Sequence, residues 1–156
     1  MSDEVNMHKS APRPRHRNQA GVSLLEVLIA VLVLAIGMLG VAAMQATSLR
    51  NSQGSLERSQ AVVLAYGIMD AMRANMLAAR ANSYNMTLTC TVPTAGTSLA
   101  SRDLNAWMTS LQATVGASAC GSVQCASNVC EVIVQWNDQR ATGGIAAQQL
   151  RVRSRI

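Results

Sequence analysis

One acidic side chain stands at the start of a long apolar segment. Glu26 is followed by a run without charged residues from Val27 to Met44, which we call the apolar span. As an α-helix the apolar span would be roughly 27 Å long, close to the ~30 Å hydrocarbon core of a bilayer. A carboxylate in a membrane helix is energetically costly, so Glu26 is a candidate functional group. Its partner is expected to be a cation at the same depth.

Gly21 and Val22 would supply that cation if the chain were cut between them. Val22 to Gln45 contains no Lys, Arg or His. A cut after Gly21 leaves an α-ammonium group on Val22, about one helical turn from Glu26. A neighbouring copy could also bring its own ammonium group to this carboxylate. The chemistry indicated is charge pairing between chains in an apolar environment.

Four cysteines form a second group of reactive side chains, all in the C-terminal half. They are Cys90, Cys120, Cys125 and Cys130. If the chain beyond Met44 lies in an oxidising compartment, disulfides are expected, and they would stabilise a small domain. Three pairings are possible and the sequence does not choose among them, although we expect Cys90 to join one of the later three. Zinc binding is the alternative, but the spacing lacks CxxC pairs and a nearby His.

Catalytic constellations are missing from the sequence. Both histidines, His8 and His16, lie in the first 21 residues, and no Ser-His-Asp, Cys-His or paired-carboxylate pattern occurs. We therefore predict a non-enzyme without a cofactor or metal. The net charge of +5 partly reflects the basic N-terminus. A basic strand face with Arg151, Arg153 and Arg155 lacks interleaved aromatic residues, so it indicates a solvated face or a subunit contact, and nucleic acid is not an expected partner.

The periodicity predicts one long helix from Val22 to Arg80. Residues 22–44 would span the membrane, and residues 45–80 would continue as an amphipathic helix, with Gly54 and Gly67 as sites of bending. Residues 1–21 are polar and basic and are predicted to be disordered; their charges place this end in the cytoplasm. The second half of the helix can pack on a small domain through its predicted apolar stripe, which comprises Leu49, Leu56, Val63, Leu64, Ile68, Met72 and Met76.

Residues 81–156 are predicted to form a small α+β head with an antiparallel sheet against the long helix. An alternating strand is expected in Ser83–Val92, with Tyr84, Met86, Leu88 and Cys90 on one face. Further predictions are a short helix capped by Ser101 and Asp103, a loop over Gly116–Asn128, and strands at Cys130–Trp136 and Gln148–Ile156.

The stretch Gly21-Val22-Ser23-Leu24-Leu25-Glu26-Val27-Leu28-Ile29-Ala30 resembles the prepilin signal of type IV pilins and type II secretion pseudopilins. The segments Ile36–Gln45 and Met69–Asn75 are similar to minor pilins of the PilV type, the type IV pilus modification proteins. The resemblance implies cleavage between Gly21 and Val22 by a prepilin peptidase and methylation of Val22. It also implies that Glu26 accepts the amino terminus of a neighbouring subunit. The first mature residue is usually Phe, whereas this chain has Val22 and no Phe at all.

The resemblance further implies a pilin-like fold and a low-copy subunit that helps prime pilus assembly near the tip, and so supports twitching motility and adhesion. The implied partners are the peptidase, other minor pilins, the major pilin, the inner membrane and a tip adhesin. The chain would cross the inner membrane once, with its head in the periplasm, and then enter the pilus at the cell surface. Two alternatives stay open: a minor pseudopilin of type II secretion, and a membrane-tethered periplasmic binding module.

Overall fold

The computed structural model describes residues 21–156, so the predicted leader at residues 1–21 lies outside the described residues except for Gly21. The chain forms two compact units, which divide between Gly40 and Val41. The helices are α1 (Leu24–Ala74), α2 (Met76–Arg80) and α3 (Leu99–Thr114). The strands are β1 (Met86–Thr89), β2 (Cys120–Ala126), β3 (Val129–Trp136) and β4 (Gln148–Arg155).

The long helix forms, but its details differ from the prediction. α1 runs through both Gly54 and Gly67 and ends at Ala74, where a turn at Asn75 separates it from α2. Gly54 does not interrupt the helix, and it allows another segment of the chain to approach the helix closely. A Cβ atom at Gly54 would lie 2.9 Å from the Cβ atom of Ala141 in the connection between β3 and β4. The missing side chain therefore lets that connection pack on the helix.

The buried stripe of the second half of α1 is narrower than predicted and partly different. It comprises Ala61, Ala65, Ile68, Met69 and Met72. Four of these residues follow the i, i+4, i+7, i+11 spacing of one helix face. The prediction is right for Ile68 and Met72.

The heptad residues Leu49, Leu56 and Val63 are exposed by 66%, 58% and 69%, so the prediction that they pack on the head is wrong. Val63 lies about 160–200° around the helix axis from Ala61 and Ala65, because each residue advances the helix by about 100°. The small alanines, and not the larger heptad residues, face the head.

The head contains a four-stranded antiparallel sheet in the order β1-β2-β3-β4. β3 and β4 confirm two predicted strands, and the outer face of β4 carries the predicted basic residues. β2 corrects the predicted loop at Gly116–Asn128. Its sequence of small and polar residues does not alternate, and five of its seven positions are buried between other elements. Pairing with β3 over its whole length, from Cys120↔Gln135 to Ala126↔Val129, makes this segment a strand.

The first strand and the middle helix also differ from prediction. β1 covers only four residues, and its register with β2 shifts between Met86 and Thr89. Tyr84 precedes β1 and is buried, whereas Leu88 within β1 is 46% exposed, so the predicted face of one continuous strand does not form. α3 begins earlier than expected, because the Ser98 side chain accepts a hydrogen bond from the Ser101 backbone N–H and caps it. The predicted caps, Ser101 and Asp103, lie inside the helix.

Two disulfides join the four cysteines in one of the three pairings that the sequence left open. Cys90 is bonded to Cys120 and Cys125 to Cys130. The first bond ties the segment after β1 to the start of β2, and the second crosses the turn between β2 and β3. The architecture confirms an α+β, pilin-like fold: a long N-terminal helix whose later turns pack on a small antiparallel sheet.

Candidate processing and assembly site

The predicted cleavage point lies outside regular structure. Gly21, Val22 and Ser23 precede α1, and all three are exposed. The first turn is closed by the Val27 N–H, which donates to the Ser23 carbonyl at 3.2 Å. The peptide bond between Gly21 and Val22 therefore has no helical hydrogen bonds that a peptidase would need to break.

Glu26 lies in the first turn of α1, and its side chain is exposed. Neither of the two salt bridges among residues 21–156 involves it. The helix dipole favours a carboxylate at this end, since the unpaired backbone N–H groups carry partial positive charge. In an apolar environment the helix dipole offsets only part of the energetic cost of the Glu26 carboxylate. A full positive charge is therefore still expected next to it. An α-ammonium group on Val22, of this chain or a neighbouring one, stays the predicted partner.

The helical segment after Glu26 exposes apolar side chains on every side. Every residue from Val27 to Gly40 is exposed, and the large apolar side chains of this segment are 50–71% accessible to solvent. Of the helices in the described residues, α1 alone is long and apolar enough to cross a membrane. A helix that is apolar all round requires lipid or other apolar helices as its surroundings. The segment is thus consistent with membrane anchoring.

A second exposed apolar feature lies further along α1, in the unit that carries the head. Leu49, Leu56 and Val63, which we call the heptad stripe, are separated by seven residues and share one helix face. The seven-residue spacing is visible in the sequence, but the sequence does not show whether this helix face is buried or exposed. The predicted apolar stripe grouped these residues with Ile68 and Met72, so the sequence did not distinguish this exposed surface from the face that packs on the head.

The end of α1 is fixed to the head by polar contacts as well as by apolar packing. The buried Tyr84 hydroxyl donates to Asp103 Oδ2 at 2.6 Å and accepts from Asn75 Nδ2 at 3.2 Å. Burial raises the pKa of the Tyr84 phenol above its ordinary value, and the adjacent Asp103 carboxylate raises it further. Trp107 Nε1 donates to the Leu64 carbonyl at 3.0 Å. These bonds hold α1 and α3 in one orientation within the head.

The N-terminal signal is also found by comparison with known families. Residues 16–42 match the family described as the prokaryotic N-terminal methylation motif. The match supports a type IV pilin-like protein. It implies processing by a prepilin peptidase and assembly at a membrane, and it covers the site around Gly21, Val22 and Glu26 but none of the sheet. No curated protein and no solved structure gives a significant match.

The pilin-like family with this motif is structural and not catalytic. Within residues 21–156 no cluster of three or more His, Cys, Asp or Glu side chains is arranged to hold a metal ion.

Proposed function

We propose that the chain is a minor pilin of the type IV pilus, of the PilV type, that helps to prime assembly of the major pilin near the tip. The observation that carries the proposal is the combination at the N-terminus: an accessible Gly21–Val22 bond, a carboxylate at Glu26 and an apolar helix with no internal covering. The type IV pilin-like motif at residues 16–42 supports the class. The minor-pilin subtype rests on the resemblance of Ile36–Gln45 and Met69–Asn75.

The proposed maturation has two steps. A prepilin peptidase hydrolyses the Gly21–Val22 bond and then methylates the new amino group of Val22. The methylated amine remains protonated, so it keeps its charge and can pair with Glu26 of a neighbouring subunit. Pairing offsets the cost of carrying either charge into an apolar bundle.

The heptad stripe supports polymerisation rather than anchoring alone. A single-pass anchor accounts for exposed apolar residues only within the length of a bilayer, which the apolar span already fills. Leu49, Leu56 and Val63 lie beyond Met44 and are still more than half exposed. Packing against helices of other subunits would remove this surface from water, at roughly 25 cal/mol for each Å² covered.

We further propose the location and organisation of the protein. The leader at residues 1–21 is cytoplasmic and removed, residues 22–44 cross the inner membrane, and residues 45–156 comprise the helix continuation (45–80) and the periplasmic head (81–156). The basic leader supports this orientation through the positive-inside rule. Disulfides also fit an oxidising periplasm. The partners would be other minor pilins, the major pilin and a tip adhesin, and the mature subunit would end in the surface pilus, where it supports twitching motility and adhesion.

The first test is the intact mass of the protein purified from cells with and without a prepilin peptidase. We expect a mass equal to residues 22–156 plus one methyl group, and only when the peptidase is present. An uncut chain in both strains would contradict the proposal and leave an ordinary membrane anchor.

A minor pseudopilin of type II secretion shares the motif and remains the second candidate. Deletion of the gene separates the two. Loss of twitching motility with normal secretion supports the pilus, whereas loss of secretion with normal twitching supports the secretion system and contradicts the pilus assignment.

A further inference from the structure

The two edges of the sheet differ in how well they are protected from pairing with another chain. β1 forms one edge and is poorly suited to pairing: it has four residues, a register shift, and Pro93 soon after its end. Short length, irregular register and proline are the usual means of blocking an edge strand. β4 forms the other edge and has none of these three features, although its three exposed arginines restrict which chains can pair with it.

β4 is long and regular. Its eight residues pair with β3 without a shift, from Trp136↔Gln148 to Val129↔Arg155. The strand contains neither Pro nor Gly. Within the described residues no strand pairs with its outer side, so a row of backbone N–H and C=O groups is available there.

The partial burial of the inward-facing residues of β4 also indicates that the sheet has room for one more strand beside it. In β3 the inward-facing Val132 and Val134 are completely buried, while their direct cross-strand partners on β4, Val152 and Leu150, are only half-buried. The inner rim of the sheet therefore leaves apolar surface that one more strand would cover.

The end of β4 is already fixed in place. The Ile156 backbone N–H donates to the Asn128 carbonyl at 2.9 Å. The Ser154 hydroxyl accepts from Arg73 Nη2 at 2.8 Å. An edge that is ordered before binding loses little conformational entropy when a partner is added.

The outer face of β4 determines the chemistry of the partner. Arg151, Arg153 and Arg155, which we call the basic row, are all exposed. Glu131 on β3 is their one close carboxylate among the described residues, at 3.8 Å from Arg151 Nη1. A second copy paired through β4 would place arginine opposite arginine, which is unfavourable, whereas acidic residues on an added strand would stand opposite the basic row.

We propose that the outer edge of β4 binds an extended segment of a different protein by strand addition, and that this segment alternates acidic with apolar residues. The acidic residues pair with the basic row on the outer face, and the apolar residues cover Leu150 and Val152 on the inner face. Backbone hydrogen bonds supply affinity without sequence preference, and the two faces supply selectivity. The inference does not depend on polymerisation through α1, since it uses only the head.

The test uses the full-length protein in detergent micelles and a fluorescently labelled peptide of alternating glutamate and valine. We expect saturable binding by fluorescence anisotropy and slower amide hydrogen exchange along β4 in the complex. A peptide of alternating lysine and valine is expected not to bind. The same glutamate peptide with every backbone nitrogen methylated keeps its charge but loses its donors on both edges, and is also expected not to bind.

A matched pair of charge variants tests the role of the basic row. Arg151→Gln, Arg153→Gln and Arg155→Gln together are expected to weaken binding roughly three- to hundredfold, from three lost cross-strand charge pairs. Arg50→Gln, Arg102→Gln and Arg140→Gln remove the same charge at exposed sites elsewhere and are expected to change affinity less than about twofold. Absence of binding to the wild-type protein would overturn the proposal. The proposal would also be overturned if the methylated peptide bound as tightly as the unmethylated one, or if both triple variants lost the same affinity. Either result would show that the peptide binds by general charge attraction.

Discussion

The two ends of α1 share one secondary structure and have opposite surroundings. From Val27 to Gly40 every residue is exposed, while Ala61 to Met72 contributes five buried residues to the core of the head. The first segment is more apolar than the second, yet it is the one without a partner within the described residues. An apolar helix surface needs a partner that shields it from water. Whether the same chain can provide that partner depends on whether the apolar residues lie on one face of the helix.

The second segment can pack within the chain because its apolar residues are confined to one face and small residues permit close approach. Ala61 and Ala65 are fully buried and bring the helix close to α3 and the sheet. The first segment offers no single face to a small head. Four substitutions, three of them with a matched counterpart, test this division from the largest expected effect to the smallest.

Removal of the carboxylate at Glu26 should have the largest effect on assembly. Glu26→Ala removes the proposed partner of the Val22 amine, so we expect nearly complete loss of the protein from sheared surface filaments. Cleavage by the peptidase and the free energy of unfolding of the head should stay unchanged. Immunoblots of the filament and membrane fractions measure the effect.

Glu57→Ala is the matched control, since it removes a carboxylate from a later turn of the same helix. It should leave filament incorporation intact. Normal filament content in the Glu26→Ala variant would favour a membrane-tethered binding module that never polymerises.

Met72→Ala should destabilise the head strongly. The Met72 side chain is fully buried and its Sδ lies 3.8 Å from Cys125 Sγ. Loss of its methylenes and the cavity left behind should lower the free energy of unfolding by about 2–5 kcal/mol. Leu34→Ala, at a 58% exposed site, should change it by less than about 0.5 kcal/mol.

Urea unfolding of the full chain in detergent, followed by the fluorescence of Trp107 and Trp136, measures both variants. Equal destabilisation by Met72→Ala and Leu34→Ala would remove the contrast between the two ends of α1.

Gly121→Ala and Gly37→Ala should move stability in different directions. A Cβ atom at Gly121 would lie 2.6 Å from Trp107 Cη2, so the added methyl overpacks the core at a cost of about 1–3 kcal/mol. Nothing lies within 4 Å of a Cβ atom at Gly37, where alanine should instead favour the helix by about 1 kcal/mol. Urea unfolding reports on the first, and thermal loss of helical circular dichroism reports on the second. A neutral Gly121→Ala variant would show that Trp107 can move aside.

Tyr84→Phe should cause the smallest loss of stability at neutral pH, about 0.5–1.5 kcal/mol, because it removes one hydrogen bond, to Asp103 Oδ2, at a half-buried carboxylate. The pKa of Tyr84 is raised in the folded state, so the proton is held more tightly there than in the unfolded chain. The stabilisation from Tyr84 is therefore fully present below about pH 10 and declines as the pH rises from there through the folded-state pKa. Unfolding free energies measured at pH 8 and pH 10.5 should fall more steeply for the wild type than for Tyr84→Phe. Parallel slopes would contradict the assigned role.

Several elements could be predicted because their signals are local. The strands predicted at Cys130–Trp136 and Gln148–Ile156 are observed as β3 and β4, and the short helix predicted with Ser101 and Asp103 as caps is observed as α3. β2 was missed because its sequence contains little β-forming character, and its strand form depends on the neighbouring β3. The predicted N-cap of α3 was wrong because Ser98, Ser101 and Asp103 are all residue types that cap helices. The helix begins after the first of them, Ser98.

The candidate site was the part most accessible to sequence reasoning. The residues Gly21, Val22 and Glu26 lie within one short segment, so their spacing can be read without the fold. Their proposed partners belong to other chains, so their roles stay predictions. The heptad stripe was misassigned for the opposite reason. Its periodicity was clear, but periodicity alone cannot tell which of two faces meets the head.

The sequence by itself therefore determined the signal, the apolar helix and the need for a partner, since hydrophobicity, helix length and charge spacing are properties of a continuous stretch. Only the tertiary structure decided that alanines and not the heptad stripe face the head, that Cys90 joins Cys120, and that β4 is the long, regular edge of the sheet. Each of these depends on contacts between residues distant in the chain. Such contacts follow from how all the faces fit together, and no single segment encodes them.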